Sequence, residues 1–166
     1  MSINYKCRLI IRQFAIFIFI TICLCGCDHD KIFENNVKIH SEGWRRAEIA
    51  RFEVEITDTI SPCNIYINVR NNNHYKYMNL WLFVDVRSPL GVVQRDTAQI
   101  ILADHRGKWL GHGLYSKFDT RYFLARNIRF PVAGTYIIEY EQAMRDEILT
   151  GIDDIGLRIE KMPLTP

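Results

Sequence analysis

The sequence is poor in glycine and proline, with nine and five of these residues among its 166. This scarcity excludes a collagen-like or linker-like chain. The formal net charge is only +2 and 48% of the residues are hydrophobic, so a disordered chain is excluded as well. The length fits one globular domain with a single core. Composition by itself assigns no chemistry to that domain.

Acidic residues are absent from the first 26 positions, which carry Lys6, Arg8 and Arg12. Without that segment, 18 basic residues face 19 acidic ones and the formal charge becomes −1. A domain of this charge has no bulk basicity with which to attract nucleic acid or an anionic membrane. We therefore expect no nucleic-acid partner.

No apolar run is long enough to cross a bilayer as a helix, which takes ~20 residues. The longest run covers residues 14–25 and is interrupted by Thr21. A basic segment followed by a short apolar run is typical of a secretory signal peptide, which we predict over residues 1–26. An uncleaved membrane helix over residues 9–25 is disfavoured because Arg12 interrupts it.

The segment Leu24-Cys25-Gly26-Cys27 resembles a bacterial lipobox. By that resemblance, cleavage falls between Gly26 and Cys27, the Cys27 thiol carries a diacylglycerol, and the new N-terminus is acylated. More than one acyl chain makes membrane residence stable. The alternative is an ordinary signal peptide with Cys27 as an incidental thiol. Residues 27–43 are polar and predict a tether that holds a domain of residues 44–166 off the membrane, with Trp44 as its first core residue.

Cysteine cannot form a disulfide within such a mature chain, because Cys63 is the only thiol left. A nucleophilic Cys63 would need a histidine beside it in space. We expect a buried or idle thiol instead.

Hydrophobic residues alternate with polar ones along most of the chain after residue 50, which is typical of half-buried strands. The pattern predicts an all-β fold, an antiparallel β-sandwich of about seven to eight strands. Ser88–Gly91 reads as a hairpin turn, and Leu80 to Val86 as a central strand covered on both faces because Trp81 and Phe83 make its second face apolar. Residues 142–149 fit either two helical turns or a strand end and a loop.

Motifs for enzyme chemistry are lacking. The five histidines show no metal-ligand spacing, and no nucleophile elbow, phosphate loop or dinucleotide fingerprint is present. Glu139 and Glu141 share one strand face, which we interpret as the solvent side. We predict no metal, no cofactor and no enzymatic activity; a pocket lined by Asp104, His105 and Asp153 would favour an enzyme instead.

Two loops rich in asparagine and glycine carry a concentration of aromatic residues. Exposed rings on a β-sandwich suit a protein interface or sugar stacking, whereas buried rings fill the core, and we leave these uses open. A carbohydrate- or peptidoglycan-binding role would require Tyr75, Trp81 or Trp109 exposed as a flat platform. The candidate partner-binding residues are Asn72, Tyr75, Tyr77, Trp81, Asp104, Trp109 and Tyr115.

Three stretches, residues 64–83, 103–113 and 130–160, together resemble the GldH gliding-motility lipoproteins of Bacteroidetes. His105 departs from the acidic or small polar residue expected there. The resemblance implies a lipid-anchored envelope protein in gliding-motility or type IX secretion-associated machinery. Its partners would be other cell-envelope proteins, met through non-enzymatic contacts. We expect it at the outer membrane, facing the periplasm; the family brings no catalytic residues to transfer.

Overall fold

A computed structural model describes residues 30–162, so the predictions made for Gly26 and Cys27 lie outside the described residues. Within that range the chain forms strands and connections, and no helix. The strands are β1 (Lys31–Lys38), β2 (Trp44–Arg45), β3 (Ala50–Ile56), β4 (Cys63–Asn72), β5 (Asn79–Arg87), β6 (Val93–Ile101), β7 (Lys117–Ile128), β8 (Gly134–Gln142), β9 (Ile148–Leu149) and β10 (Ile152–Lys161).

Eight of these strands form two four-stranded sheets, which we call sheet A and sheet C. Sheet A has the order β1-β10-β4-β7 and sheet C the order β3-β8-β5-β6, while β2 and β9 pair separately. Every pairing is antiparallel. The inward side chains of both sheets join one buried cluster, which includes Ile67 from sheet A and Leu82 from sheet C. The predicted all-β sandwich is confirmed.

The strand patterns explain how this core forms. Along β3 the buried Phe52 and Val54 alternate with the exposed Arg51 and Glu53, as the two-residue period of a pleated strand requires. The turn at residues 88–91 joins β5 to β6 as predicted, and Gly91 has a φ of 80° there. Residues 143–147 form the loop alternative, since β8 ends at Gln142 and β9 follows.

β5 lies in the middle of sheet C, but the prediction that both its faces are covered is wrong. Leu80 and Leu82 are fully buried on the inner face, whereas Trp81 is exposed on the outer face. Phe83 lies under the guanidinium of Arg95, 4.6 Å from its ring centroid. A cross-strand cation therefore shields part of this face in place of a further layer.

β1 contradicts the predicted tether over residues 27–43 and the domain boundary at Trp44. Lys31–Lys38 pairs with β10 as the edge strand of sheet A, and Phe33 and Val37 pack against the core. Trp44 is buried but is not the first residue docked. The sequence signal is weak because β1 is only half buried and a register shift between Lys31 and Phe33 interrupts its alternation.

The two ends of the sandwich bear on function. The near end is where β1 begins: Lys161 donates its amide to the Asp30 carbonyl at 2.8 Å, and the Met162 amide donates to Pro62 at 2.8 Å. The topology places the connections 57–62, 88–92 and 129–133 at this end. The far end holds the connections 39–43, 73–78, 102–116 and 143–147.

Candidate partner-binding surface

The two aromatic loops meet at the far end. The indole Nε1 of Trp109 donates to Oδ1 of Asn73 at 3.1 Å, which joins the 102–116 connection to the 73–78 connection. Trp109 also forms an isolated antiparallel bridge with Ala103. The long connection is therefore folded back on itself and docked on its neighbour.

A row of rings lies beneath these loops. The centroids of Tyr77 and Tyr75 are 5.9 Å apart, those of Tyr75 and Trp109 are 6.4 Å apart, and those of Trp109 and Phe118 are 5.7 Å apart. These separations fall in the favourable range for aromatic pairs. The row ties both loops to the start of β7 and acts as their scaffold.

Tyr75 is a core residue, so its selection as a partner-binding residue is wrong. Its side chain is only 4% exposed, and its hydroxyl donates to the Asn79 carbonyl at 2.8 Å. Burial raises the pKa of Tyr75 far above its ordinary value. Trp109 is partly buried against the core, and Trp81 lies apart on the outer face of sheet C. Of these three residues, only Trp81 is exposed.

The side chains of Asn72 and Asp104 stabilise the two loops through hydrogen bonds to nearby residues. Nδ2 of Asn72 donates to Asp153 at 2.6 Å, while its Oδ1 accepts the amide of His74 at 2.8 Å. Oδ1 of Asp104 accepts the amides of Arg106 and Lys108 at 2.8 and 2.9 Å. Both side chains make the local turns that aspartate and asparagine favour.

An exposed apolar crest, formed by Leu110, Leu114 and Tyr115, tops the far end. Leu114 is 81% exposed and Tyr115 is 99% exposed, and Leu110 is exposed as well. The sequence analysis predicts Tyr115 as a candidate residue but does not predict either leucine. The available signal was their place beside Gly111 and Gly113 in a glycine-rich loop.

The crest is presented by a tight hairpin tip. His112 and Asp119 exchange two backbone hydrogen bonds of 2.9 and 2.8 Å. A Cβ at Gly113 would lie 1.8 Å from the Lys117 carbonyl oxygen, so this position requires glycine. Tyr115 has a φ of 62°, a left-handed conformation that is strained for a bulky residue. Strain that presents an exposed ring is a pointer to function.

A charged groove of about 700 Å³ runs across the outer face of sheet A. Arg70 binds both carboxylate oxygens of Asp119 at 2.7 and 3.1 Å, and this bond raises the pKa of Arg70. Arg158 is buried and bonds Glu34 at 2.6 Å as well as Glu160. The acidic residues of this groove are therefore paired with arginines. Such pairing is typical of surface ion pairs and not of the free carboxyl groups that act as acid and base catalysts.

Glu139 and Glu141 lie on the outer face of sheet C, the solvent side that we predicted. Glu139 accepts from Arg51 at 3.0 Å, and Glu141 accepts from Arg95 at 2.6 Å. Surface pairs of this kind add little stability.

A second, mostly apolar cleft of about 630 Å³ opens where the edge strands β6 and β7 face each other. Its walls include Ile65, Val84 and Leu124 from the two sheets and Phe130 from the 129–133 connection. Neither this cleft nor the charged groove is lined by Asp104, His105 or Asp153.

Cys63 is buried, and burial raises the pKa of its thiol, which disfavours the reactive thiolate. Among residues 30–162, no group of three or more histidine, cysteine or acidic side chains is placed to hold a metal ion. Over the same range, none of the chain forms a helix that is long and apolar enough to cross a membrane.

Comparison with known proteins identifies the family. The GldH lipoprotein model matches residues 31–159, which is most of the chain and nearly all of the sandwich. The chain belongs to the GldH lipoprotein family. It is 33% identical, over 88% of its own length and 93% of the relative, to a gliding motility lipoprotein GldH homolog of Christiangramia forsetii. It is 28% identical to the gliding motility lipoprotein GldH of Flavobacterium johnsoniae, over 91% and 98% of the two chains.

Membership of the GldH family confirms the resemblance read from the sequence and makes this chain a membrane-anchored envelope lipoprotein. The match begins at residue 31, after Cys27, so acylation at Cys27 stays a prediction. The match also starts with β1, which agrees with the place of that strand inside the domain.

Proposed function

We propose that this GldH-family chain is a non-enzymatic component of gliding-motility or type IX secretion-associated machinery, acting through contacts with other envelope proteins. The observation that carries the contact surface is the crest, where Leu114 and Tyr115 are exposed on the hairpin tip closed by His112 and Asp119, and Leu110 is exposed two residues before that tip. Apolar and aromatic side chains of this kind form the centre of protein interfaces. The relatives named as gliding motility lipoproteins support the machinery to which the contact belongs.

The docking of the crest supports this role physically. The ring row and the Trp109 to Asn73 hydrogen bond hold the connection before any partner arrives. A surface ordered in advance loses less conformational entropy on binding. The non-enzymatic part of the proposal is supported by the ion pairs that engage the acids of the charged groove.

The lipid anchor would favour binding to the partner because it confines the protein to a membrane surface. Acyl chains on Cys27 would restrict the protein to one membrane surface, which raises its effective concentration toward partners in that membrane. The expected location is the outer membrane, with the crest facing the periplasm.

The test uses the native host with its own gene deleted and replaced. A chain with Leu114→Ser and Tyr115→Ala is expected to be made in normal amount yet to fail in surface spreading and in release of secreted proteins. Ile101→Ser is the matched control, because Ile101 is also an exposed aliphatic residue but lies on β6. Full activity of the crest variant would refute the proposed surface.

A further inference from the structure

The near end carries its own exposed aliphatic side chains. Ile60 is 82% exposed in the 57–62 connection, and Leu90 is 73% exposed in the turn between β5 and β6. Val92 is exposed beside Leu90. A single exposed aliphatic residue needs no explanation, but here two connections at one end of the molecule carry them.

Both tips are held by hydrogen bonds. Oδ1 of Asp58 accepts the amides of Ile60 and Ser61 at 3.0 Å, and Nζ of Lys161 donates to Asp58 at 2.8 Å. Arg129 donates to the carbonyl of Ile60 at 2.9 Å. The backbone at Ile60 is therefore held from both sides while its side chain stays outside the core.

The turn that carries Leu90 is closed in the same manner. The amide of Gly91 donates to the Ser88 carbonyl at 2.9 Å, and the amide of Val92 donates to the Ser88 hydroxyl at 3.2 Å. A Cβ at Gly134 would lie 3.0 Å from the Pro89 ring, so this turn sits against the start of β8. The contact between Pro89 and Gly134 thus fixes the turn that carries Leu90 at the near end.

The position of Asp30 connects this end to the membrane. The Asp30 carbonyl accepts from Lys161, which places the start of the described chain beside the Asp58 connection. Cys27 precedes Asp30 by three residues, and three residues span at most about 11 Å when fully extended. A lipid on Cys27 would hold the near end within that distance of the headgroups, because β1 begins at Lys31, only four residues after Cys27.

We propose that the near end rests on the lipid bilayer, with Ile60, Leu90 and Val92 entering the boundary between headgroups and acyl chains. The lipid surface is favoured over a protein partner because the anchor site itself lies at this end. Interfacial apolar side chains reach ~5–10 Å into that boundary. The contact fixes the orientation of the sandwich and directs the crest away from the membrane. It depends on acylation of Cys27 and is independent of what the crest binds.

The test compares two exposed leucines at opposite ends. The full chain carrying Leu90→Cys or Leu114→Cys is purified from the membranes of a bacterial host that acylates it. Each new thiol is labelled with a small fluorophore. The parent chain controls for labelling, since Cys63 is buried and the Cys27 thiol is occupied by the thioether. Ile60→Cys provides a second near-end position if Leu90→Cys does not fold.

The labelled proteins are placed in phosphatidylcholine vesicles that contain lipids with a quencher in the upper acyl chain. The near-end label is expected to lose fluorescence about twofold, as a probe at the interfacial boundary would, while the label at position 114 is unaffected. Equal quenching at both positions, or none at positions 90 and 60, overturns the proposal. An intact mass without the acyl groups on Cys27 also overturns it. A failure of the crest variants to impair function in cells would not change the quenching result. The proposed function and the proposed membrane contact can therefore be refuted independently of each other.

Discussion

The near end and the far end of the sandwich both expose aliphatic side chains, but the structures beneath them differ. At the near end, Ile60 and Leu90 sit on short turns closed by backbone groups and by Asp58 and Ser88. At the far end, Leu114 and Tyr115 lie in the 102–116 connection, which packs against the rest of the domain through the ring row. The far end therefore has the ring row as its scaffold, whereas the near end has the Phe130–Tyr136 ring pair and side-chain hydrogen bonds from Arg129 and Lys161.

This difference separates substitutions that should change the stability of the fold from substitutions that should change binding to a partner. A residue in the scaffold, such as Trp109, contributes to folding and supports the crest only indirectly. A residue in the crest, such as Tyr115, contributes almost nothing to folding because it is 99% exposed. Four predictions test this separation.

Trp109→Ala is expected to have the largest effect on stability. It removes two ring contacts and the hydrogen bond to Asn73, which should lower the free energy of unfolding by about 2–4 kcal/mol. Urea unfolding measures this loss, with Trp81→Ala as the control because Trp81 lies exposed on sheet C. An unchanged melt for Trp109→Ala would show that the ring row is no scaffold.

Gly113→Ala and Gly91→Ala compare the turns of the two ends. At Gly113 the new Cβ would meet the Lys117 carbonyl at 1.8 Å, so we expect a loss of about 2–3 kcal/mol through forced backbone movement. At Gly91 nothing lies within 4 Å, although φ is +80°, so only the left-handed backbone cost of about 1–2 kcal/mol applies. Thermal unfolding of the two variants measures both values. Equal losses would contradict the tight hairpin tip.

Asp58 at the near end and Tyr75 at the far end should respond to opposite extremes of pH. The Lys161 hydrogen bond and the amides of Ser61 and Ile60 hold the pKa of Asp58 well below its ordinary value of about 3.9. Its stabilising contribution is therefore present above that value and is lost as the pH falls through the folded-state pKa. Burial raises the pKa of Tyr75, so its contribution is complete below pH ~10 and is lost as the pH rises.

Unfolding measured across the pH range checks this, with one variant for each end. Asp58→Asn should flatten the acid limb, and it should also change the alkaline limb because Asp58 raises the pKa of Lys161. Tyr75→Phe should flatten part of the alkaline limb and leave the acid limb unchanged. Tyr140 and Cys63 retain part of the alkaline limb, because burial raises their pKa values as well. An acid limb that Tyr75→Phe alters, or that Asp58→Asn leaves unchanged, would contradict the assignment of these groups.

Leu114→Ser and Tyr115→Ala should have the smallest effect on stability, within about 0.5 kcal/mol of the parent chain. Their side chains have few neighbours to lose, since both are almost fully exposed. Calorimetry of each variant checks the expectation. A loss as large as that of Trp109→Ala would place these residues in the scaffold.

The sequence predicts the sandwich well because strands such as β3 alternate strictly between buried and exposed residues. β3 and the β5–β6 hairpin follow directly from Phe52, Val54 and the turn at residues 88–91. β1 escapes prediction because its partner lies far along the chain: Glu34 bonds Arg158 across 124 residues. A half-buried edge strand leaves little periodicity to read.

The candidate site was only partly predictable. The residue types of the two loops indicated an aromatic cluster, but whether a ring is buried depends on what packs over it. Tyr75 is buried by a connection that starts 27 residues later in the chain, whereas Tyr115 on that same connection is exposed. Leucine in a loop gives no local sign of exposure, so Leu110 and Leu114 were found only from the structure.

The most direct test of this two-ended account is photo-crosslinking in the native envelope. A photoreactive phenylalanine analogue replaces Tyr115 in one strain and Leu90 in another. The account predicts protein adducts at position 115 and lipid adducts at position 90. Protein adducts at position 90 with none at position 115 would contradict it.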